Sequence, residues 1–186
     1  MNGNWVESKD RLVKLPEADV KVFGVYTNMV YTNKLTSRDA SSEERTTKKT
    51  LYEEYVFLSK LYVLAESLQD TLAKNDVVKA MVAVAKETPT DGSWVIPPTA
   101  AVKILYEGTS ANDGARKLFV DLWKCASLSR LSEKSQRLPY EFLCDLAMVL
   151  RQMFTAVSCT ARDSDGTPYL VQAIDRGADQ NVGGAS

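Results

Sequence analysis

The side chains best suited to covalent or acid–base chemistry are three cysteines and scattered carboxylates, because the sequence has no histidine. Without imidazole, the chain lacks the most common general base and the most common metal ligand in proteins. The cysteines, Cys125, Cys144 and Cys159, are widely spaced and form no Cys-x-x-Cys motif. A structural zinc site would need all three plus an acidic ligand, so we predict no metal site. We expect Cys125 and Cys144 to be small core residues and Cys159 to be an exposed thiol.

Two further patterns resemble chemical motifs but fit ordinary structural roles better. Glu53, Glu54 and Glu66 could supply a carboxylate pair, yet no second acid with an apolar pocket is evident. The segment GTSANDG, residues 108–114, has its glycines one position too far apart for a phosphate-binding loop, and Ala115 stands where the lysine belongs. We therefore predict no catalytic residues, no cofactor and a protein that is not an enzyme.

The bulk composition is that of a globular protein and argues against several classes of partner. Of the 186 residues, 45% are hydrophobic and 25% are charged, and the formal net charge is −1. The basic pairs at 48–49 and 116–117 are too small for the basic face of a nucleic-acid binder. No apolar stretch is long enough to cross a bilayer, and residues 1–10 lack the apolar core of a signal peptide. We predict no nucleic-acid partner, no membrane span and an intracellular location, in the cytoplasm or nucleus.

The element that must position these groups is the segment TLYEEYVFLSKLYVLAESLQ, residues 50–69. The apolar residues that recur in it at steps of three and four are Leu51, Tyr55, Leu58, Tyr62 and Ala65. This spacing places them on one face of an α-helix, and further apolar residues widen that face. Such a helix is normally packed on several sides, so we predict the central core helix here. Thr50 and Glu53 have the spacing of a capping box at its start.

The other segments predict shorter helices around this one. These helices are expected from Pro16 to about Tyr31, from Asp70 or Thr71 to about residue 86, from Thr99 to about Tyr106, from Ala115 to Ala126, and from Pro139 to Met153. The first has one apolar stripe, made of Val22, Phe23, Tyr26, Met29 and Val30. The second has a predicted buried face of Leu72, Val77, Val78, Met81, Val82 and Ala85, and the short break before it favours a helical hairpin with the central helix. Residues 94–96 are expected to plug a gap between helices. The later helices are expected to turn inward Val102 and Leu105, and then Phe142, Leu143, Leu146, Val149, Leu150 and Met153. Residues 11–15 alternate like a short strand, whereas 36–49 and 129–137 are polar connections. The predicted fold is mainly α, a helical bundle with at most one or two short strands.

Two runs of sequence resemble a known family. LPEADVKVFGVYTNMVYTNKL, residues 15–35, and LYEEYVFLSKLYVLAESLQDTLAKNDVVKAMV, residues 51–82, resemble the C-terminal half of a BTB/POZ domain of the fungal type. The most specific part is the helix at 61–70. The run ILYEGTSANDGARKLFVDLW, residues 104–123, is similar to the helical extension that follows the domain in that group. The strands and two helices that begin a whole BTB domain have no counterpart, so the likeness is to a truncated BTB/POZ fold.

The resemblance implies three segments: a partial BTB/POZ-like domain at 1–88, a helical extension at 89–155 and a largely disordered tail at 156–186. BTB proteins are usually protein-interaction modules, so a scaffold or adaptor that binds protein partners is expected, with self-association as one form. A substrate adaptor of a cullin-3 ubiquitin ligase and a transcription-associated regulator are the alternatives. Such adaptors carry a hydrophobic-x-Glu motif ahead of the central helix, and Leu51, Tyr52 and Glu53 stand at the matching place. The same residues also fit a helix start with Leu51 in the core.

Overall fold

The computed structural model describes residues 19–36 and 47–153, and every regular element in these ranges is helical. The α-helices are α1 (Val20–Thr32), α2 (Lys48–Ser67), α3 (Thr71–Lys86), α4 (Thr99–Gly108), α5 (Gly114–Trp123), α6 (Leu128–Lys134) and α7 (Tyr140–Met153). A 3-10 turn, Ser135–Arg137, follows α6. The predicted mainly α bundle is therefore confirmed over the described ranges. The predicted strand at 11–15, the helix start at Pro16, Cys159 and the tail at 156–186 lie outside them.

Helix α2 is the centre of the bundle, as its apolar spacing predicts. It packs against α1, α3 and α4. The five residues of the predicted stripe, from Leu51 to Ala65, are all buried, and Leu61 and Leu64 are buried beside them. Gly108 at the end of α4 lies against Val63 so closely that a Cβ atom would collide with that side chain. The absence of a side chain at Gly108 therefore brings α4 close to α2.

The start of α2 differs from the prediction. Thr47, not Thr50, is the N-cap: its side chain accepts a hydrogen bond from the Thr50 amide, and the Thr50 hydroxyl receives one from the Thr47 amide. Two threonines thus form the reciprocal capping pair, because they satisfy donors that the first helical turn leaves free. Glu53 is left outside the cap and points to solvent. The polar connection expected to reach residue 49 therefore ends at Thr47.

Helices α2 and α3 form the predicted helical hairpin. Gln69 adopts the left-handed conformation (φ 57°) that ends α2, and the Asp70 carboxylate caps α3 by accepting from the Ala73 amide at 3.0 Å. The buried face of α3 consists of Ala73, Val77, Met81 and Val84. Leu72 was expected on it but is 78% exposed, because nine residues of helix turn it half a revolution away from Met81.

The second layer of the bundle is formed by α4, α5 and α7. Two edge-to-face aromatic pairs close it: Tyr55 of α2 lies 5.9 Å from Phe119, and Trp123 lies 5.6 Å from Phe142. Val95 and Ile96 are buried in the connection before α4, as predicted for a plug between helices, although Trp94 beside them is exposed. Buried residues on both sides of position 88 belong to one core, so the described parts of the first two predicted segments share it.

Two local expectations in this layer are wrong. The connection at 129–137 contains α6 and the 3-10 turn, although none of their residues is buried. Ser127 starts α6 by accepting a hydrogen bond from the Arg130 amide. Cys125 was expected in the core but is exposed, because α5 ends at Trp123 and the chain turns outward after it. Cys144 on α7 is half-buried.

Candidate interaction surface

The three predicted contact residues lie on the first turns of α2, and the structure separates them. Leu51 is 0% exposed and belongs to the core. Tyr52 is half-buried, and Glu53 is exposed with its carboxylate 3.8 Å from the Lys49 ammonium. Only Tyr52 and Glu53 can therefore touch a partner while α2 stays packed.

Tyr52 is held in place by a residue 78 positions further along the chain. Its hydroxyl accepts a hydrogen bond from the Arg130 guanidinium, which also lies 5.9 Å from the centre of its ring. Arg130 belongs to α6, so this short helix, which the sequence analysis missed, braces the start of α2. The aromatic ring is thus presented in a fixed orientation.

Tyr52 and Glu53 border a shallow groove of about 370 Å³ between α1 and α2. Its other lining residues are Lys21, Val56, Phe57, Lys60 and Pro98. The floor is apolar, and the Lys21 ammonium lies 5.8 Å from the centre of the Phe57 ring. Lys60 is paired with Asp19 at 3.0 Å across the two helices. The groove has the size and polarity to take one apolar side chain, with charges at its rim.

A larger exposed apolar surface lies on α1. We define the outer face of α1 as Val20, Phe23, Thr27, Val30 and Tyr31. Since an α-helix turns by about 100° per residue, these five side chains fall within one arc of about 100°. Val20 and Tyr31 lie opposite the buried Val22 and Met29, whereas Phe23 and Val30 lie on the flank of the helix. Four of them are large apolar residues with exposed fractions of 87, 42, 50 and 84% in chain order. The Thr27 hydroxyl is satisfied by the Phe23 carbonyl at 2.9 Å.

Helix α1 therefore has one wide apolar surface, and the described residues bury the part around Val22 and Met29 while the outer face stays exposed. A helix that is apolar around most of its circumference is normally buried all round. The sequence analysis predicted one buried stripe containing Val22, Phe23, Tyr26, Met29 and Val30. In the structure that stripe divides, because Phe23 and Val30 turn outward while Val22 and Met29 enter the core. The width of the apolar pattern was visible in the sequence, but which half faces the core was not.

Glu66, one of the three glutamates considered for chemistry, belongs to a structural network with Asp113 and Lys74. Asp113 caps α5 by accepting from the Ala115 amide at 2.8 Å, and it also receives the Tyr62 hydroxyl at 2.9 Å. The Lys74 ammonium bridges Asp113 and Glu66. Burial, and then the hydrogen bond to Asp113, raise the pKa of Tyr62 to about 12. This network joins α2, α3 and α5, and its phenol stays protonated at neutral pH.

A second buried network surrounds Arg116 on α5. Its guanidinium donates to the carbonyl oxygens of Tyr106 and Thr109, to the Thr109 hydroxyl, and to Glu141 on α7 at 2.8 Å. It also lies 4.3 Å from the centre of the Tyr106 ring. Four of the five N–H groups of the guanidinium therefore join α4, α5 and α7. In the sequence Arg116 is half of the basic pair at 116–117, which would ordinarily lie on an exposed face, but its side chain is buried.

A wider depression of about 770 Å³ lies where α4 meets the start of α7. It is lined by charges of both signs: Lys103 lies 3.7 Å from Glu107, Glu141 binds Arg116, and Arg137 lies on the same wall. It has no concentration of one charge and no unpaired buried group to attract a ligand. Within residues 19–36 and 47–153, no three Cys, Asp or Glu side chains converge on a point where a metal ion could bind. The helices in these ranges are also not long and apolar enough to span a membrane.

No protein-family model, curated protein or solved structure gives a significant match to this chain. The likeness of residues 15–35 and 51–82 to a BTB/POZ domain of the fungal type therefore stays a prediction from those residues.

Proposed function

We propose that this protein is a non-enzymatic protein-interaction module, and that it binds its partner through the outer face of α1. The observation that carries the proposal is the exposure of Val20, Phe23, Val30 and Tyr31 together on one side of a helix whose other side is in the core. Exposed apolar residues scattered singly need no explanation, but a continuous face of them is typical of a contact surface.

The energetics of burial favour this use of the surface. Covering a large apolar side chain that was fully exposed stabilises a complex by about 2 kcal/mol, so a partner on this face would gain from several residues at once. Aromatic residues are enriched among the side chains that dominate binding, and Phe23 and Tyr31 stand near the two ends of the face. The resemblance to BTB/POZ proteins, which mostly bind other proteins, points in the same direction.

The test is to capture partners from an extract of cells that make the protein, with the full chain as bait. The variant Phe23→Glu/Val30→Glu puts two charges on the outer face without touching the core. Leu72→Glu on α3 is the matched control, because it also replaces an exposed apolar residue with a carboxylate. We expect specific partners, identified by mass spectrometry, to be lost with the double variant and kept with the control. Partners bound equally by all three chains would contradict the proposal.

A cullin-3 adaptor is the second candidate, and the groove beside Tyr52 and Glu53 is the observation that favours it. Leu51 is fully buried, so replacing it would damage the fold and would not report on binding. The informative variant is Glu53→Lys, which reverses one exposed charge at the groove. We expect it to weaken co-purification with cullin-3 if the adaptor interpretation is correct. Co-purification that is absent, or unchanged by this variant, would exclude the adaptor role.

A further inference from the structure

The outer face of α1 has the residue spacing of a helix-packing surface. At successive steps of three, four and three, it contains Val20, Phe23, Thr27 and Val30. Steps of three and four keep side chains on one seam along a helix, which is where a second helix packs. Peptides that bind as extended strands pair instead with the edge of a sheet, and every regular element in the described ranges is helical. The spacing therefore favours a helix as the segment that covers this face.

Gly24 lies beside this seam, and nothing in the described residues requires a glycine there. A Cβ atom at Gly24 would meet no atom within 4 Å, and its backbone is helical without a positive φ. Glycine in the interior of a helix is destabilising relative to alanine. At Gly108, by contrast, a Cβ atom would collide with Val63, so that glycine serves the packing of the protein itself. The space left by Gly24 opens to solvent instead.

Gly24 deepens one particular site on the seam. When helices pack, a side chain of one helix enters a hole between four residues of the other, at positions i, i+3, i+4 and i+7. Four residues of α1 with this spacing are Val20, Phe23, Gly24 and Thr27. The last two are small, and the Thr27 hydroxyl is already bonded to the Phe23 carbonyl. A large apolar side chain can therefore enter the hole without leaving that hydroxyl unsatisfied.

The charges at the two ends of α1 indicate a direction for the second helix. Asp19, at the N-terminal end, is paired with Lys60 at 3.0 Å. Lys34 lies just beyond the C-cap, Asn33; it is exposed, and its ammonium forms no ion pair with the described residues. An antiparallel helix would place its own N-terminal turn beside Lys34. Acidic side chains are favourable in that turn, so charge and dipole both favour the antiparallel arrangement.

We propose that the outer face of α1 binds an amphipathic α-helix of another protein, which packs antiparallel to α1 and inserts a large apolar side chain over Gly24. The inference deepens the proposed function and rests on it, because it states what kind of segment covers the same face. Helix α1 has 13 residues and is about 20 Å long, so the partner segment spans about two heptads. It has apolar residues at steps of three and four and an acidic residue in its first turn.

Substitutions at Gly24 should change stability and binding in opposite directions. In the purified full chain, Gly24→Ala should raise the melting temperature by roughly 1–4 °C, because alanine is the better helix former and its Cβ meets no atom. The same methyl group partly fills the hole, so the amount of partner captured from extract should fall roughly threefold. A Gly24→Ala chain that is more stable and captures the partner equally well would overturn the proposal.

A larger side chain should give a larger loss of binding. Gly24→Leu fills the hole and should lower capture more than roughly tenfold, with the circular dichroism of wild type. Asn28→Leu is the matched control: it adds the same side chain at an exposed position of α1, about 60° outside the outer face, and should bind as wild type. Lys34→Glu should lower capture roughly threefold by repelling the acidic turn of the partner. Unchanged capture by Lys34→Glu would refute the antiparallel direction.

The occupant itself is identified by crosslinking from Tyr31, which is replaced by a photoreactive phenylalanine analogue. The full chain is irradiated in an extract of cells that make it, and the adduct is digested and sequenced by mass spectrometry. We expect a peptide of another protein with apolar residues at steps of three and four, and no adduct when Gly24→Leu is also present. An adduct with another segment of this chain, with a second copy of it, or with a foreign peptide that lacks this spacing would overturn the proposal.

Two outcomes separate this inference from the function on which it rests. If Phe23→Glu/Val30→Glu abolishes capture but Gly24→Leu does not, the outer face binds protein and the helix over Gly24 is refuted. If neither variant changes capture, both proposals fail.

Discussion

Helices α1 and α2 both carry wide apolar surfaces, but in the described residues only the main apolar stripe of α2 is buried throughout. Helix α2 is enclosed by α1, α3 and α4, and every residue of its main stripe is buried. Helix α1 buries Val22 and Met29 and leaves a second apolar face in solvent. Apolar sequence of the same kind is thus enclosed in the core around α2, which we call the closed region, and left exposed on the outer face of α1, which we call the open region. The proposed interaction rests on this difference.

The largest expected difference between the closed and open regions is in the cost of removing a phenylalanine. Phe119→Ala empties a fully buried site against Tyr55 and should lower the free energy of unfolding by about 4 kcal/mol. Phe23→Ala removes a ring of the outer face and should cost less than about 1 kcal/mol in the monomer. Urea denaturation of both variants at low protein concentration measures the two values. Equal losses would mean that the outer face of α1 is packed inside the protein.

Removing a polar contact should also lower the free energy of unfolding more in the closed region than at the edge of α1, although by less than Phe119→Ala does. Arg116→Ala leaves the carbonyl oxygens of Tyr106 and Thr109 buried without their donor, so we expect a loss of about 2 kcal/mol. Arg116→Lys should recover only part of it, because an ammonium cannot reproduce the fork of contacts. Lys60→Ala breaks an exposed ion pair between α1 and α2 and should leave the denaturation midpoint unchanged. A Lys60 variant as unstable as Arg116→Ala would contradict this division.

A smaller loss of stability is expected at alkaline pH, and it should come from Tyr62 in the closed region. Burial and the bond to Asp113 raise the pKa of Tyr62 from its ordinary value of 10.0 to about 12, so the folded protein holds this proton after the unfolded chain has released it. Stability contributed by Tyr62 is therefore complete below about pH 10 and is lost as the pH rises from 10 to 12. Urea midpoints across this range should fall less steeply for Tyr62→Phe than for wild type. Identical slopes would show that Tyr62 does not contribute.

The sequence predicted the helices well wherever apolar spacing was strong. The stripe from Leu51 to Ala65 and the inward positions Val102, Leu105, Phe142 and Leu146 are where the pattern placed them. Helix α6 was missed because five of its seven residues are polar and none is fully buried. A serine cap, the contact of Arg130 with Tyr52 and the packing of Leu131 against the core hold it in place. The cap of α2 was misplaced by three residues because Thr47 and Thr50 both precede a plausible partner at the correct spacing.

The candidate surface was predicted only in part, for a physical reason. Periodicity identifies apolar residues, but it does not say whether the protein itself or another molecule covers them. Phe23 and Val30 were therefore assigned to the same stripe as Val22 and Met29. Of the three predicted contact residues, Tyr52 and Glu53 do lie at a groove, whereas Leu51 is part of the core. Which apolar residues of α1 and α2 are buried and which are exposed is decided by how the helices pack, and periodicity does not contain that information.

The central claim is that the outer face of α1 contacts another protein molecule, and site-specific photo-crosslinking tests it most directly. A photoreactive phenylalanine analogue is placed at position 23, or at position 72 as a control, and the full chain is irradiated in the cells that make it. We predict a defined crosslinked adduct from position 23 and none from position 72. No adduct from position 23, or the same adducts from both positions, would contradict the account.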